Sequence, residues 1–278
     1  MSTHASIGKW IAGLAVAAAV VVAGVYLVRQ RTPPPPATAP APVASATAPA
    51  HYPIAQARSG PAAASTAPLP ALDASDAAVA EALSALAGGH GLRGLLVEGN
   101  LIPRIVATVD ALPRHDLGNN ILPAHTPKGA FITEDVAGRT VTGEANYARY
   151  APYMQVVSSV DSSALVDWYV RNYPLFQQAY RELGYPTAYF NDRLVVAIDD
   201  MLAAPDLSAT PALVKQGANY VYQDPALEAL SVGQKLLLRT GPANEAAIKA
   251  KLRAIRADLV GRPPAARQTG PGEGDSHP

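Results

Sequence analysis

Apolar side chains fall along this chain in two different rhythms. Residues 10–28 (WIAGLAVAAAVVVAGVYLV) are continuous, 19 residues without a charge, bounded by Lys9 and by Arg29 and Arg31. A helix of that length rises about 28 Å, close to the ~30 Å hydrocarbon core of a bilayer. Trp10 and Tyr26 stand near its ends, where amphipathic rings suit the headgroup level. The competing reading is a cleaved signal peptide, since Ala17-Ala18-Ala19 offers a small-x-small site. Cleavage there leaves a short apolar run before the site and VVVAGVYLV after it, so the uncleaved membrane helix is the expectation. Basic residues balance across the span, and orientation rests on the short N-terminal tail (1–9) before a large C-terminal body. That arrangement predicts a single-pass inner-membrane protein with its C-terminal part in the periplasm.

Residues 29–70 then lose periodicity altogether. From Thr32 to Pro70 almost every residue is Pro, Ala, Ser or Thr, which supplies too little apolar bulk to outweigh chain entropy. A disordered Pro/Ala-rich linker is expected, with polyproline II at Pro33–Pro36. As a spacer it holds the body off the membrane; as a ligand for a proline-binding groove it needs a partner of its own.

From residue 71 to 262 the apolar positions take up helical spacing. Val79, Leu83 and Leu86 mark a first helix, announced by Asp73 and Asp76 and stopped by Gly88-Gly89. Leu101, Ile102, Ile105, Val106, Val109 and Leu112 mark a second from Asn100 to Leu112. The stretch 113–129 reads as loop. Residues 131–134 and 140–142 form a hairpin about Gly138, and 213–214 with 220–222 form another about Gly217. The longest helical stretch starts at Asp161 or Ser162, and Pro174 is expected to divide it into 162–172 and 175–183. Trp168, Phe176, Tyr180 and Leu183 share its core face. Asn191-Asp192 cap a helix over 193–203, Asp224-Pro225 open a short helix to Leu230, and a further helix is stopped by Gly241. The last helix begins at Pro242, with Ile248, Leu252, Ile255 and Leu259 as its stripe. The fold class is therefore mainly α, a single helical domain with one or two minor β-hairpins, and a polar tail at 263–278.

Charge and composition sharpen this picture mainly by exclusion. The 22 basic and 22 acidic residues balance; four of the basic ones precede residue 71, where no acid stands, so 71–278 carries 18 against 22, a net of −4. That is the wrong sign for nucleic acid. The absence of cysteine removes disulfides, thiolate nucleophiles and thiolate metal ligands together.

Candidate chemistry is sparse, and no cofactor or metal site is expected. Gly89–Gly94 (GHGLRG) fits G-x-G-x-x-G, but a helix rather than a strand precedes it, so it reads as a helix stop. His115, Asp116 and His125 share a loop without the rigid spacing of a metal site. Asp199 and Asp200 are adjacent on a helix and point about 100° apart, which rules out a shared-proton dyad. Glu98, Glu144 and Glu182 are carboxylates without any pattern that pairs them. Lys249, Lys251, Arg253 and Arg256 read as a solvated face, with Glu245–Lys249 as a helix-stabilising pair. Between Tyr147 and Phe190 lie 11 of the 17 aromatics, interleaved with arginines, and their helical spacing assigns most of them to the core. The exception is the loop 184–193 (GYPTAYFNDR). It joins two helices and must cross the surface, so Tyr185, Tyr189, Asn191, Asp192 and Arg193 form the candidate binding surface.

The strings YPLFQQAYRELGYPTAYFNDRLVVAIDDMLAAP (173–205), LSVGQKLLLRTGPAN (230–244), ANYARYAPY (145–153) and NLIPRIVATVDALPR (100–114) together resemble an uncharacterised bacterial membrane-anchored family, a domain of unknown function (serial number three thousand and fourteen). The similarity covers about 70 to 260; where this chain reads IDDML, the family more usually carries a histidine at the position of Asp200. The resemblance implies the same architecture and a cell-envelope location, and it brings no activity, cofactor or catalytic residue. The expected function is a non-enzymatic binding or scaffold module, in contact with the bilayer through 10–28 and with an envelope protein or glycan through the body. The alternatives are a cell-wall enzyme using dispersed carboxylates, and a regulatory subunit of a membrane complex.

Overall fold

In a computed structural model of the chain, the described residues are 50–58, 66–89, 91–116, 121–217 and 219–261. The expected membrane span, most of the linker and the C-terminal tail lie outside them. Among the described residues no helix is long and apolar enough to cross a membrane.

Those residues form nine α-helices and two antiparallel hairpins. In chain order they are α1 (Asp76–Leu86), α2 (Leu101–Ala111), β1 (Thr133–Val136), β2 (Arg139–Thr142), α3 (Ala145–Ala148), α4 (Ala151–Ser159), α5 (Ser162–Glu182), α6 (Phe190–Leu202), β3 (Leu213–Gln216), β4 (Asn219–Tyr222), α7 (Pro225–Glu228), α8 (Val232–Thr240) and α9 (Pro242–Val260). The fold is thus mainly helical, as the periodicity predicts. Thr133 pairs with Thr142 and Leu213 with Tyr222, and a single bridge between Val141 and Ala212 joins the two hairpins.

Helix α5 lies at the centre, against α2 and α9, while α6 packs on α2, α8 and α9. The main core gathers the predicted stripes of α1, α2 and α9 around Tyr169, Phe176, Tyr180 and Phe190. Phe176 stacks on Phe190 at 5.7 Å and meets Tyr169 edge-on at 5.2 Å, geometries that favour aromatic pairs beyond simple burial. A smaller cluster, Leu213, Tyr222 and Leu238, lies under the second hairpin. Leu183, expected on the core face of α5, is instead exposed; it follows the last helical turn, where Gly184 (φ 116°) turns the chain away.

Pro174 does not divide α5, which runs unbroken through 21 residues. Its ring faces solvent, where water can satisfy the freed carbonyl. Trp168, Tyr169, Leu175 and Phe176, all buried, pin the helix on both sides of it.

Helix N-termini are capped in two ways. Asp161, Asp224 and the Ser231–Gln234 capping box act locally on α5, α7 and α8. Two other helices borrow caps from neighbours. Asp76, in the first turn of α1, accepts the backbone N–H groups of Asn100 and Leu101 at 2.7 Å each, at the start of α2. Gln177 of α5 accepts the Phe190 N–H at 2.9 Å and donates to Ala188 O at 2.8 Å. Helix α6 therefore begins at Phe190 rather than Arg193, and Asn191 and Asp192 are inside it, not caps.

The body also begins before residue 71. Residues 54–56 form a 3₁₀ turn, Tyr52, Ile54 and Leu69 pack on the core, and Arg171 donates to Ala67 O at 2.6 Å. These are among the few bulky apolar residues in a tract of Pro, Ala, Ser and Thr, and they find the core. The linker expected over 29–70 is in this part a strap on the domain.

The exposed proline yields a direct test. Replacing Pro174 by Ala restores a backbone donor in mid-helix without disturbing a buried contact. It is expected to raise stability by about 1–3 kcal/mol, measured by urea unfolding.

Candidate functional site

The loop 184–189 is held over the ends of α2, α5 and α6. Tyr185 stacks on Tyr180 with ring centres 4.5 Å apart. Its hydroxyl accepts from Arg114 Nη2 at 2.6 Å and lies 3.3 Å from Asp110 Oδ2, to which it donates. Asp110 is the hub. Its side chain is 8% exposed, and Arg193 Nε approaches Oδ1 at 2.9 Å. Arg114 bonds Oδ2, and Arg193 Nη2 bonds the Asp110 carbonyl. One buried carboxylate is thus enclosed by two guanidiniums and a phenol. Burial disfavours the Arg114 charge, but the Tyr185 hydrogen bond and the Asp110 carboxylate outweigh it and hold the guanidinium above its ordinary value. Tyr180 is pushed up to about 12, by burial first and then by the Asp110 charge.

The five predicted residues therefore separate. Tyr185 and Arg193 belong to the Asp110 cluster, where the Arg193 guanidinium is already paired. Asn191 and Asp192 face the strap instead. Asp192 accepts the backbone N–H groups of His51 at 3.0 Å and Tyr52 at 2.7 Å. Asn191, 1% exposed, donates to the Tyr52 carbonyl at 2.7 Å and accepts from the Tyr169 hydroxyl at 3.3 Å. Arg58 N–H donates to Asp258 O at 2.7 Å, which fastens the far end of the strap to α9. Tyr189 supplies the N-cap backbone of α6 and is half-buried.

The other candidates serve the fold. Asp199 pairs with Arg256 of α9, and Asp200 accepts from Ser231 Oγ at 2.6 Å at the start of α8. Adjacent carboxylates thus tie α6 to two different helices. Burial raises the Asp200 carboxyl above its usual range, against the Ser231 hydrogen bond. His115 and His125 are exposed, and among the described residues no three His, Cys, Asp or Glu side chains converge as a metal site would need. Gly89–Gly94 follows a helix and contains a 3₁₀ turn at Leu92–Gly94; its His90 lies outside the described residues. Glu98, Glu144 and Glu182 are exposed, in the loop before α2, at the start of α3 and at the end of α5.

The basic run on α9 is a solvated face only at Arg253; Lys249 and Lys251 turn inward. Lys249 is 3% exposed; its Nζ donates to Ala204 O and Asp206 Oδ1, both at 2.7 Å, and lies 2.7 Å from Glu245 Oε1. Lys251 donates to the Val160 carbonyl, and burial lowers its affinity for a proton. The i, i+4 spacing of Glu245 and Lys249 signals the pair, but only the packing of the 204–206 turn buries it.

Helical layers capped by neighbouring side chains, two joined hairpins and an internally paired Asp110 cluster define a domain in which most polar groups hold elements together. Residues 101–256 match the family described as "Protein of unknown function (DUF3014)", and the chain belongs to that family. No curated protein matches the chain, and no solved structure does.

Two mutations separate the cluster from the strap. Arg193→Ala strips a largely buried carboxylate of one partner and is expected to cost about 3 kcal/mol, read by chemical denaturation. Asp192→Ala should cost about 1 kcal/mol, while amide exchange at His51 and Tyr52 accelerates at least tenfold and that of α5 stays unchanged. Alkaline pH offers a third test. Tyr173, Tyr180 and Tyr222 are each pushed up to about 12, chiefly by burial. Their folded values lie above the unfolded one, so the stability they contribute is complete below about pH 10 and is lost as pH rises towards 12. Absorbance of ionised tyrosine at these rings should appear together with loss of helical circular dichroism, not before it.

Proposed function

We propose that the protein is a non-enzymatic, single-pass membrane-anchored module of the cell envelope, its helical domain held in the periplasm as a binding or scaffold unit. The observation that carries this reading is the strap. The chain that follows the apolar span 10–28 does not trail loosely into the domain; residues 51–58 are fastened to α6 and α9 through Asp192, Asn191 and the Asp258 carbonyl. Recognition is mostly of main-chain groups, which suits a tract of low side-chain information. An anchor fixed at one known place on the body gives the body a preferred side towards the membrane.

The distance follows from the same arithmetic. Residues 29–49 separate the span from the strap, and as polyproline II they reach about 65 Å at ~3.1 Å per residue. The half-exposed Arg114 beside Tyr185 is left for a partner to reach. An envelope protein or glycan is the partner class this reading calls for.

A reporter active only in the periplasm, fused after Pro278, is expected to be active, with the whole protein in the membrane fraction. A reporter active only in the cytoplasm, or a mature chain that starts near Val20, overturns the reading.

A further inference from the structure

The strap lies in a groove built to take an extended backbone. At one end the Asp192 carboxylate accepts two successive main-chain N–H groups, and the Asn191 amide donates to the Tyr52 carbonyl. At the other end, past the last turn of α9, Gly261 stands at φ 74°. A Cβ at this position would collide with the Gln56 carbonyl oxygen. Glycine therefore serves twice here: it adopts a backbone conformation that other residues resist, and it leaves room for the passing chain. Between the two ends Tyr52 and Ile54 pack on the core.

The occupant is held less firmly than the groove. Of residues 50–58 only Ala57 is buried, so the strap opens at a lower free energy than the core that carries its site. Opening strips Asn191, 1% exposed, and Asp192 of main-chain partners, which favours recapture of an extended segment. The segment that fits is carried once by every copy of the chain. Seven residues, 59–65, join the strap to Thr66. They reach about 25 Å, enough to cross between two bodies in contact. The bonds formed are the same on either body, which is the condition that makes exchange of an identical element a low-cost route to a dimer.

We infer that the groove is an exchangeable peptide site and that its second occupant is the strap of another copy, two chains trading residues 50–58 across each other's α6 and α9. The test mixes two differently tagged full-length forms in detergent micelles. One carries Gly261→Ala, which spoils the groove; the other carries Tyr52→Ser with Ile54→Ser, which spoils the strap. Neither docks its own strap, but the strap of the first fits the groove of the second. Capture of one tag is expected to recover the other at least about tenfold above a mixture of two Gly261→Ala forms. A fluorescent peptide of residues 50–58 gives a second readout. It should bind the strap-altered form at least about tenfold more tightly than the wild type, whose own strap competes at millimolar effective concentration, and Gly261→Ala should abolish its binding. If the strap-altered form fails to fold, wild-type copies bearing the two tags decide: they should form mixed dimers that Gly261→Ala copies do not. Equal recovery from both mixtures, or peptide binding that survives Gly261→Ala, overturns the inference. Peptide binding without recovery of the second tag also overturns it, and leaves the groove to a foreign extended segment. None of these outcomes depends on membrane topology.

Discussion

The arrangement depends on one junction, where Phe190 enters the core and stacks on Phe176. Gln177, one residue further along α5, accepts the Phe190 N–H, so an apolar contact and a backbone cap fix the same point. Once Phe190 is pinned, its successors follow at helical steps of about 100°. Asn191 and Asp192 are turned towards the strap, and Arg193 is turned towards Asp110. The loop 184–189 is consequently too short to choose its own path: Tyr185 must lie over Tyr180, and its hydroxyl must reach Arg114 and Asp110.

A second theme is the use of side chains to serve backbone groups far away in sequence. Asp76 holds the start of α2, Gln177 the start of α6, and Asp192 the strap. Each carboxylate or amide satisfies donors that would otherwise be unpaired at a helix end or along an extended segment. This explains why the polar residues that look most like a site are engaged internally. The Glu245 carboxylate fits the same pattern: it is buried and ion-paired with Lys249 at 2.7 Å.

In our reading of the protein as an anchored envelope module, the strap changes what the linker does. A tether joined to the domain only at residue 71 would let the body tumble. Docking at Asp192 and Asp258 fixes the point where the tether leaves, so the Pro/Ala-rich stretch sets distance and the strap sets orientation.

How much of this was legible from the residues follows from the range of each interaction. The helices of α1, α2 and α9, both hairpins and the caps at Asp161 and Asp224 are written in spacings of a few residues, and short-range spacing is visible in one chain. The Tyr185 loop was legible as a surface crossing between helices, but its partners Asp110 and Arg114, some 70 residues away, carried no signal beyond their type. Pro174 read as a break because local rules price a lost hydrogen bond; packing on both sides of it keeps α5 whole. Leu183 read as core because its spacing is right, one step past where the helix actually stops. Lys249 read as solvated because lysine usually is, and only the folded position of Ala204 and Asp206 makes its burial tolerable. The sequence by itself determined most of the elements and those ends that carry a local cap. Tertiary structure alone decided which polar group meets which, because desolvation and pairing of charge depend on neighbours that the chain brings together only when folded.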